Sequence, residues 1–303
     1  MKHSLKINII LISIFFISQI IGLAITNSYI NHKLLVETGK VEFISLPYNI
    51  ERPPLEQKSS FVFIFLAIII GTILMLIIIR FKKSIFWKVW FFLAVTLCLS
   101  VAFSAFLNQY IAFPLAIIFG WYKIFKQNKI IQNLTELFIY GGLAAIFVPV
   151  INLFAAFVLL ILISIYDFIA VLKIKHMVTL AKFQTKENIF AGISIPYEKT
   201  EKPTAIKEIK AEKTKKEKIK TAILGGGDMG FPLLFAGVVM KNLMKENTIL
   251  LGFLKALIIP VFASIALFLL LILAKKDKFY PAMPFLTAGC FLGYGMILLL
   301  NFV

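Results

Sequence analysis

Long apolar blocks separated by short polar segments dominate the chain. A membrane-spanning helix needs about 20 consecutive, mainly apolar residues. Nine blocks reach or approach this length, and the fourth is the shortest of them. The sequence therefore predicts an all-α polytopic membrane protein with nine transmembrane helices, over residues 7–25, 61–79, 85–106, 110–122, 131–148, 151–172, 222–240, 252–273 and 279–302.

The composition indicates the same class of protein. Hydrophobic residues make up 60% of the 303 residues, and the mean hydropathy is +0.92. Soluble domains are about 45–50% apolar even with glycine included, so a water-soluble globule is excluded. The first apolar block is longer than the central region of a signal peptide, about 7–15 residues, and no small-residue cleavage site follows it. We therefore predict that this block is a membrane span.

The formal net charge of +17 is distributed by membrane side. Positive residues concentrate in the N-terminus and in the loops after the even-numbered spans. Because positive loops stay cytoplasmic, this bias predicts a cytoplasmic N-terminus and an external C-terminus in the cell membrane. The same charge favours contact with anionic lipid headgroups. Nucleic-acid binding is not expected, since Arg52 and Arg80 are the only arginines and bidentate recognition of phosphates and bases relies on arginine.

One long polar segment divides the chain. Residues 173–220 are rich in Lys and Glu and contain Pro196 and Pro203, a composition that cannot bury a core. We predict a mobile cytoplasmic loop here, between a six-span part over residues 1–172 and a three-span part over residues 221–303. A regulatory or docking role is the alternative to a plain solvated tether.

Cysteine and histidine positions exclude several kinds of site. Cys98 and Cys290 both fall inside apolar blocks, which favours buried apolar packing over a disulfide or a metal site. The histidines, His3, His32 and His176, all lie outside the blocks. Without a histidine at membrane depth, a zinc protease and a Ser–His protease are both excluded. We predict neither a metal nor a cofactor.

Only two of the 15 acidic residues fall within the predicted membrane depth. Glu136 lies in the first turns of the fifth span, near the inner interface. Asp167 lies shortly before Lys173 in the sixth span, and Asp228 lies shortly after Lys220 in the seventh. An Asp at the centre of a membrane helix costs about 2.5–3.5 kcal/mol on insertion scales. Because these two lie at a similar level on consecutive antiparallel helices, we predict that they face each other.

A pair of adjacent carboxyl groups shares a proton, because both cannot easily ionise. Such a pair suits peptide hydrolysis: the ionised acid takes a proton from water, and the protonated acid donates to the scissile carbonyl oxygen. The water attacks, and a gem-diol forms without a metal or a covalent nucleophile. We therefore interpret Asp167 and Asp228 as a catalytic pair. A single Asp would equally suit a proton relay or a polar contact between helices.

Two short motifs accompany the aspartates. Asp228 follows Gly225, Gly226 and Gly227, a run that lets another backbone approach closely, although close helix packing would also explain it. The sequence Pro-Ala-Met-Pro at 281–284 opens the ninth span at a similar depth and disrupts its first turn. An ordinary helix start with proline at its first position is the alternative explanation.

Together these motifs resemble those of the presenilin and signal peptide peptidase family of intramembrane aspartyl proteases. The matches are Tyr-Asp at 166–167, Gly-x-Gly-Asp at 225–228, and Pro-Ala-Met at 281–283, where the family usually has Pro-Ala-Leu. The family also has nine spans, with these motifs on spans six, seven and nine. The resemblance implies that Asp167 and Asp228 are catalytic and that the substrates are transmembrane peptides whose helix is locally unwound. It also implies that the other motif residues position the substrate: Tyr166, Gly225, Gly226, Gly227, Pro281, Ala282 and Met283.

Features of both subgroups of the family occur in the chain. The cytoplasmic N-terminus and Pro284 resemble presenilins, whereas Pro232 and the run Met-Val-Thr-Leu-Ala-Lys at 177–182 resemble signal peptide peptidases. This mixture indicates a prokaryotic, archaeal homologue, for which obligate partner subunits are not expected.

Two other functions are alternatives at this point. Prepilin peptidases also carry a Gly-x-Gly-Asp motif and two aspartates near the cytoplasmic face. They usually have fewer spans and a lysine shortly after that aspartate, where this chain has Met-Gly-Phe at 229–231. A proton or cation transporter would use Asp167 and Asp228 as an ion site beside a broken helix, but the two halves of the sequence show no internal repeat.

Overall fold

The computed structural model describes residues 5–81, 84–126, 128–173, 183, 190–197, 220–274 and 280–302. The run at 177–182 that resembles signal peptide peptidases lies outside them. The described residues form helices and one two-stranded sheet. The elements are α1 (Leu5–Ser28), α2 (His32–Thr38), α3 (Ser60–Arg80), α4 (Ser84–Ser104), α5 (Gln109–Trp121), α6 (Lys129–Phe147), α7 (Leu153–Phe168), β1 (Gly192–Tyr197), β2 (Lys220–Gly225), α8 (Gly226–Glu246), α9 (Ile249–Ala256), α10 (Ile258–Leu273) and α11 (Met283–Phe302).

Seven helical segments among the described residues are long and apolar enough to cross a membrane. The predicted fourth and seventh spans correspond to α5 and α8, and neither helix is among these seven segments. Helix α5 has only 13 residues, and α8 includes four charged side chains. The prediction of a multi-pass membrane protein is confirmed, with seven spans identified by length and composition: Leu5–Ser28, Ser60–Arg80, Ile85–Ser104, Lys129–Val150, Leu153–Lys173, Ile249–Leu273 and Met283–Asn301.

A two-stranded antiparallel sheet is the main departure from the predicted all-helical chain. Strand β1 lies inside the predicted polar loop and pairs with β2, with Gly192 opposite Gly225. Strand β2 includes residues 222–225, which the apolar pattern assigns to the seventh span. That assignment is wrong, because α8 begins only at Gly226.

The short length of β2 explains why the sequence predicts a helix there. Ala222 and Leu224 are buried, whereas Ile223 between them is 41% exposed. This alternation is typical of a strand with one buried face. It covers too few residues to be distinguished from the apolar block that follows it directly.

Helix α8 occupies the centre of the described fold. It packs against α1, α6, α7, α10 and α11, and its side chains Met229 and Phe235 are almost completely buried. Because lipid is as apolar as these side chains, the packing stabilises mainly through dispersion contacts. Cys98 and Cys290 are also buried and form no disulfide, as predicted.

A buried lysine fixes the end of α8 that lies opposite Asp228. Lys241 is 7% exposed. Its ammonium group donates hydrogen bonds to the carbonyl oxygens of Val148 (2.7 Å) and Ile151 (2.5 Å). These carbonyls lie at the break between α6 and α7, where the helical hydrogen bonds stop. The lysine therefore satisfies backbone groups that have no partner within either helix.

Candidate active site

Asp167 lies where α7 ends. The helix ends at Phe168, and the chain continues in a wider π-helical turn over Ile169–Lys173. The Asp167 side chain is 8% exposed, and its Oδ2 accepts a hydrogen bond of 3.1 Å from the backbone N–H of Met283. The backbone of Ala282 also interacts with this carboxylate. The structure thus brings the Pro-Ala-Met motif to the first of the two aspartates.

The motif reaches Asp167 because α11 starts later than the sequence indicates. The apolar pattern predicts the ninth span from residue 279, but α11 begins at Met283, and Pro281 and Ala282 precede it without helical structure. The first N–H groups of a helix have no partner within it. A helix N-terminus also carries partial positive charge and binds carboxylates. Asp167 therefore provides an acceptor for the Met283 N–H, which has no acceptor within α11.

Asp228 is the third residue of α8, in its first turn. Gly225 precedes the helix as its N-cap residue. Because glycine has no side chain, it cannot accept hydrogen bonds from the free N–H groups in the first turn of α8. The Asp228 carboxylate itself interacts with the backbone N–H of Gly225, as an acid at the third position of a helix does when it caps the N-terminus. A Cβ atom at Gly225 would lie 3.2 Å from Asp228 Oδ2. Glycine therefore leaves room for the carboxylate to turn back.

The two aspartates come together at one end of the helix bundle. Helices α7 and α8 pack against each other, and the two carboxyl groups are close enough to interact electrostatically. Each also meets a helix N-terminus: Asp167 that of α11, and Asp228 that of its own helix. The positive ends of these helices offset part of the repulsion between the carboxyl groups. The arrangement suits two carboxyl groups that share a proton.

Gly226 lies against the side chain of Tyr140 from α6. A Cβ atom at Gly226 would lie 2.5 Å from the Tyr140 hydroxyl oxygen. The backbone N–H of Gly226 donates to the carbonyl of Ala191 (3.0 Å), which continues the pairing of the two strands. The glycine run thus allows α6 to approach the start of α8 closely.

Tyr166 points towards a different helix from the neighbouring aspartate. Its hydroxyl donates to Thr72 Oγ1 (3.0 Å), and its ring meets Phe65 edge-on, both on α3. On the same helix as Tyr166, the hydroxyl of Ser164 shares a 2.7 Å hydrogen bond with Thr287 of α11. Helix α7 is therefore bonded to α3 through Tyr166 and to α11 through both Ser164 and the aspartate.

A buried charge cluster joins α6 to the turn that follows α5 and contacts β1, and it is not predicted from the sequence. Glu136 forms an ion pair with Lys123 in which the two side chains are 1% and 2% exposed, and it also accepts a hydrogen bond from the Tyr140 hydroxyl. From the sequence, Glu136 is expected at the interface and Lys123 in a loop. One signal was present: Glu136 and Tyr140 are four residues apart, so they lie on the same face of a helix.

Comparison with known proteins places the chain in a family. The family model of signal-peptide peptidase and presenilin aspartyl proteases matches residues 12–303. The fold is similar to that of a presenilin family intramembrane aspartate protease solved in space group C222, with a TM-score of 0.60, 16% identity, and coverage of 97% of this chain and 99% of that one. The structure of such a protease in space group P2 gives a TM-score of 0.57 at 16% identity, covering 96% of each chain. No curated protein matches the sequence significantly.

The fold and the matches define a membrane-embedded aspartic endopeptidase. The chain belongs to the signal-peptide peptidase and presenilin aspartyl protease family, which its motifs resemble. The family match favours this class over prepilin peptidases and over transporters.

Substituting Met283 by proline tests the hydrogen bond to Asp167. Proline is favoured at the first position of a helix, so the main change in the backbone is loss of the N–H. We expect Met283→Pro to cleave a peptide substrate about 10- to 100-fold more slowly than Met283→Ala, because a hydrogen bond to a charged group contributes about 1.5–3 kcal/mol. Met283→Ala is the control, since it removes the buried side chain and keeps the N–H. Equal rates for the two variants would contradict a role for this bond.

Substituting Gly226 by alanine tests the contact with Tyr140. The new methyl group would overlap the tyrosine hydroxyl and displace the start of α8, which carries Asp228. We expect Gly226→Ala to lower the cleavage rate by up to about 100-fold, since a shift of about 1 Å can have that effect. Adding Tyr140→Phe removes the hydroxyl and should restore part of the rate, with Tyr140→Phe alone as the control. A double variant no faster than Gly226→Ala would show that this contact is not the cause.

Proposed function

We propose that Asp167 and Asp228 are the catalytic pair of this protease and that they hydrolyse peptide bonds within transmembrane helices of membrane proteins or within signal peptides. The observation that supports this most strongly is the meeting of three helix ends. Asp167 lies one residue before the end of α7, and its carboxylate accepts a hydrogen bond from the N–H of Met283 at the start of α11. Asp228 lies in the first turn of α8 and interacts electrostatically with Asp167. The motifs of spans six, seven and nine therefore converge on one place.

In the proposed reaction the pair holds a single proton. The ionised aspartate accepts a proton from water as the water oxygen attacks the scissile carbonyl carbon, and the other aspartate donates its proton to the carbonyl oxygen. As the gem-diol collapses, one of its hydroxyl groups returns a proton to the aspartate that had donated to the carbonyl oxygen. The C–N bond breaks, and the aspartate that had accepted the proton from water protonates the leaving nitrogen. The pair is then singly protonated again, and which carboxyl group carries the proton is a property of the pair.

The remaining motif residues are proposed to position the substrate. The backbone at 225–227 and at 281–283 flanks the two carboxyl groups, so an unwound substrate segment between them would meet backbone groups and small side chains. Such a segment needs hydrogen-bond partners for its own backbone inside the membrane. Tyr166 is proposed to act through its contacts with α3. The residues concerned are Tyr166, Gly225, Gly226, Gly227, Pro281, Ala282 and Met283.

We further propose nine membrane spans, with α5 and α8 as the two that length and composition do not identify. Helix α8 is surrounded by other helices, which reduces the contact of its charged side chains with lipid. The N-terminus and the loop at 173–220 are proposed to be cytoplasmic, and the C-terminus external. The chain is proposed to act on transmembrane peptides without obligate partner subunits, a metal or a cofactor.

Detergent-purified protein and a synthetic single-span peptide test the proposed function. We expect cleavage inside the apolar segment of the peptide, with both fragments identified by mass spectrometry and heavy oxygen from labelled water in the new carboxyl group. The contrary result would be no cleavage of such peptides together with proton or cation flux in liposomes that Asp167→Ala abolishes. That result would favour a transporter.

A further inference from the structure

The edge of β1 that faces away from β2 is occupied by side chains of α6. Gly192 donates its backbone N–H to Glu136 Oε1 (3.0 Å), and its carbonyl accepts from Gln132 Nε2 (3.3 Å). Ser194 donates its N–H to Asn133 Oδ1 (3.0 Å), and its carbonyl accepts from Asn133 Nδ2 (3.1 Å). Four backbone groups of the strand therefore bond to three side chains of one helix.

This pattern reproduces what a neighbouring strand would provide. Alternate residues of a strand direct their N–H and C=O groups to the same side, and here those residues are 192 and 194. An unpaired strand edge presents free donors and acceptors, which are costly where water is scarce. The amide of Asn133 meets both backbone groups of Ser194, as a paired residue in a sheet would. Helix α6 thus substitutes for a third strand.

The strand pair connects α6 to the catalytic helix. Strand β1 pairs with β2 so that Gly192 lies opposite Gly225, and Gly225 immediately precedes α8, which carries Asp228 in its first turn. Tyr140 from the same α6 contacts Gly226. A displacement of β1 along α6 would therefore move the start of α8.

We propose that Gln132, Asn133 and Glu136 are positioning residues of the protease, which hold β1 in register on α6 and thereby set the position of Asp228. The inference rests on the proposed catalytic role of Asp228. These side chains act through the strand pair and do not touch the reacting atoms. Their loss is therefore expected to change the turnover rate and to leave substrate binding nearly unchanged.

Asn133 is the best residue for the test because both of its hydrogen bonds go to Ser194. Asn133→Leu keeps the number and branching of the side-chain heavy atoms and removes both bonds. We expect kcat for a single-span peptide to fall by about 10- to 100-fold, the effect of a small misplacement of a catalytic group, with KM changed by less than about twofold. Asn242→Leu is the matched control, because the Asn242 side chain is similarly half-buried and donates to Val238 of its own helix. It should retain the wild-type kcat.

A second variant gives a readout that a loss of folding would not produce. In Asn133→Asp, a protonated carboxyl group can donate to the Ser194 carbonyl as well as accept from the Ser194 N–H, whereas the ionised form can only accept and repels that carbonyl. We expect the ratio of its kcat to that of the wild type to fall as pH rises. A ratio that does not change with pH, or an unchanged kcat in folded Asn133→Leu, would overturn the inference.

The two proposals fail in different ways. If Asp228→Ala cleaves the peptide as fast as the wild type, the catalytic assignment fails. If cleavage depends on Asp228 but is unaffected by the Asn133 substitutions, only the positioning role fails.

Discussion

Replacing either aspartate by alanine is expected to abolish peptide cleavage by the purified protein. General acid–base groups contribute about 10²–10⁴-fold to rates. In the proposed mechanism one carboxyl group accepts a proton while the other donates one, so neither can act alone. We expect Asp167→Ala and Asp228→Ala each to lose at least this factor. Initial rates on a single-span peptide, with fragments quantified by mass spectrometry, measure the loss.

The double variant and two amides make this test specific. Groups that act as a unit are strongly non-additive, so Asp167→Ala combined with Asp228→Ala should be no slower than either variant alone. Asp167→Asn and Asp228→Asn keep the shape of the side chains and should be equally inactive. Glu246→Gln is the control, because Glu246 is an exposed acid near the other end of α8. Wild-type rates in either alanine variant would show that the catalytic assignment is wrong.

The sequence predicts most membrane spans well because the thickness of the bilayer sets their length and apolar composition. Segments such as α3 and α11 need enough apolar residues to cross the hydrocarbon core, and this requirement is visible in any window of the sequence. Strand β2 depends instead on backbone pairing with β1, which lies in the predicted polar loop. The other edge of β1 forms hydrogen bonds with side chains of α6. The polar partners of the strand pair are distant in sequence, so no local pattern identifies them.

The candidate site shows the same contrast between local and non-local signals. Asp167 and Asp228 stand out because ionisable residues at membrane depth are rare and usually functional. The hydrogen bond from Met283 depends on the residue at which α11 begins, which is the least reliable part of any sequence-based assignment. Glu136 is predicted at the interface from its position in the first turns of the fifth span. Its burial depends on Lys123, which follows a different helix and is not a neighbour in the sequence. Each charge alone is unfavourable in the membrane, and the pairing that compensates for it is not visible in the local sequence.

The buried ion pair between Lys123 and Glu136 is expected to contribute strongly to the stability of the fold. Removing one partner of a buried ion pair typically destabilises a protein by about 3–5 kcal/mol, because the remaining charge stays buried without compensation. We expect both Lys123→Met and Glu136→Gln to lower the free energy of unfolding in detergent by about this amount. Reversible denaturation of the purified protein, followed by circular dichroism, measures it.

Combining the two substitutions separates the cost of an unpaired charge from the loss of packing. Lys123→Met with Glu136→Gln removes both charges, while the glutamine side chain still offers an oxygen and a nitrogen to the groups that Glu136 contacts. We therefore expect the double variant to be more stable than either single variant. Lys255→Met is the control, since Lys255 is only partly buried and bonds to the neutral side chains of Asn247 and Asn301; it should change the unfolding free energy by less than about 1 kcal/mol. If the two single effects simply add in the double variant, the buried charges are not coupled and the stability of this region has another origin.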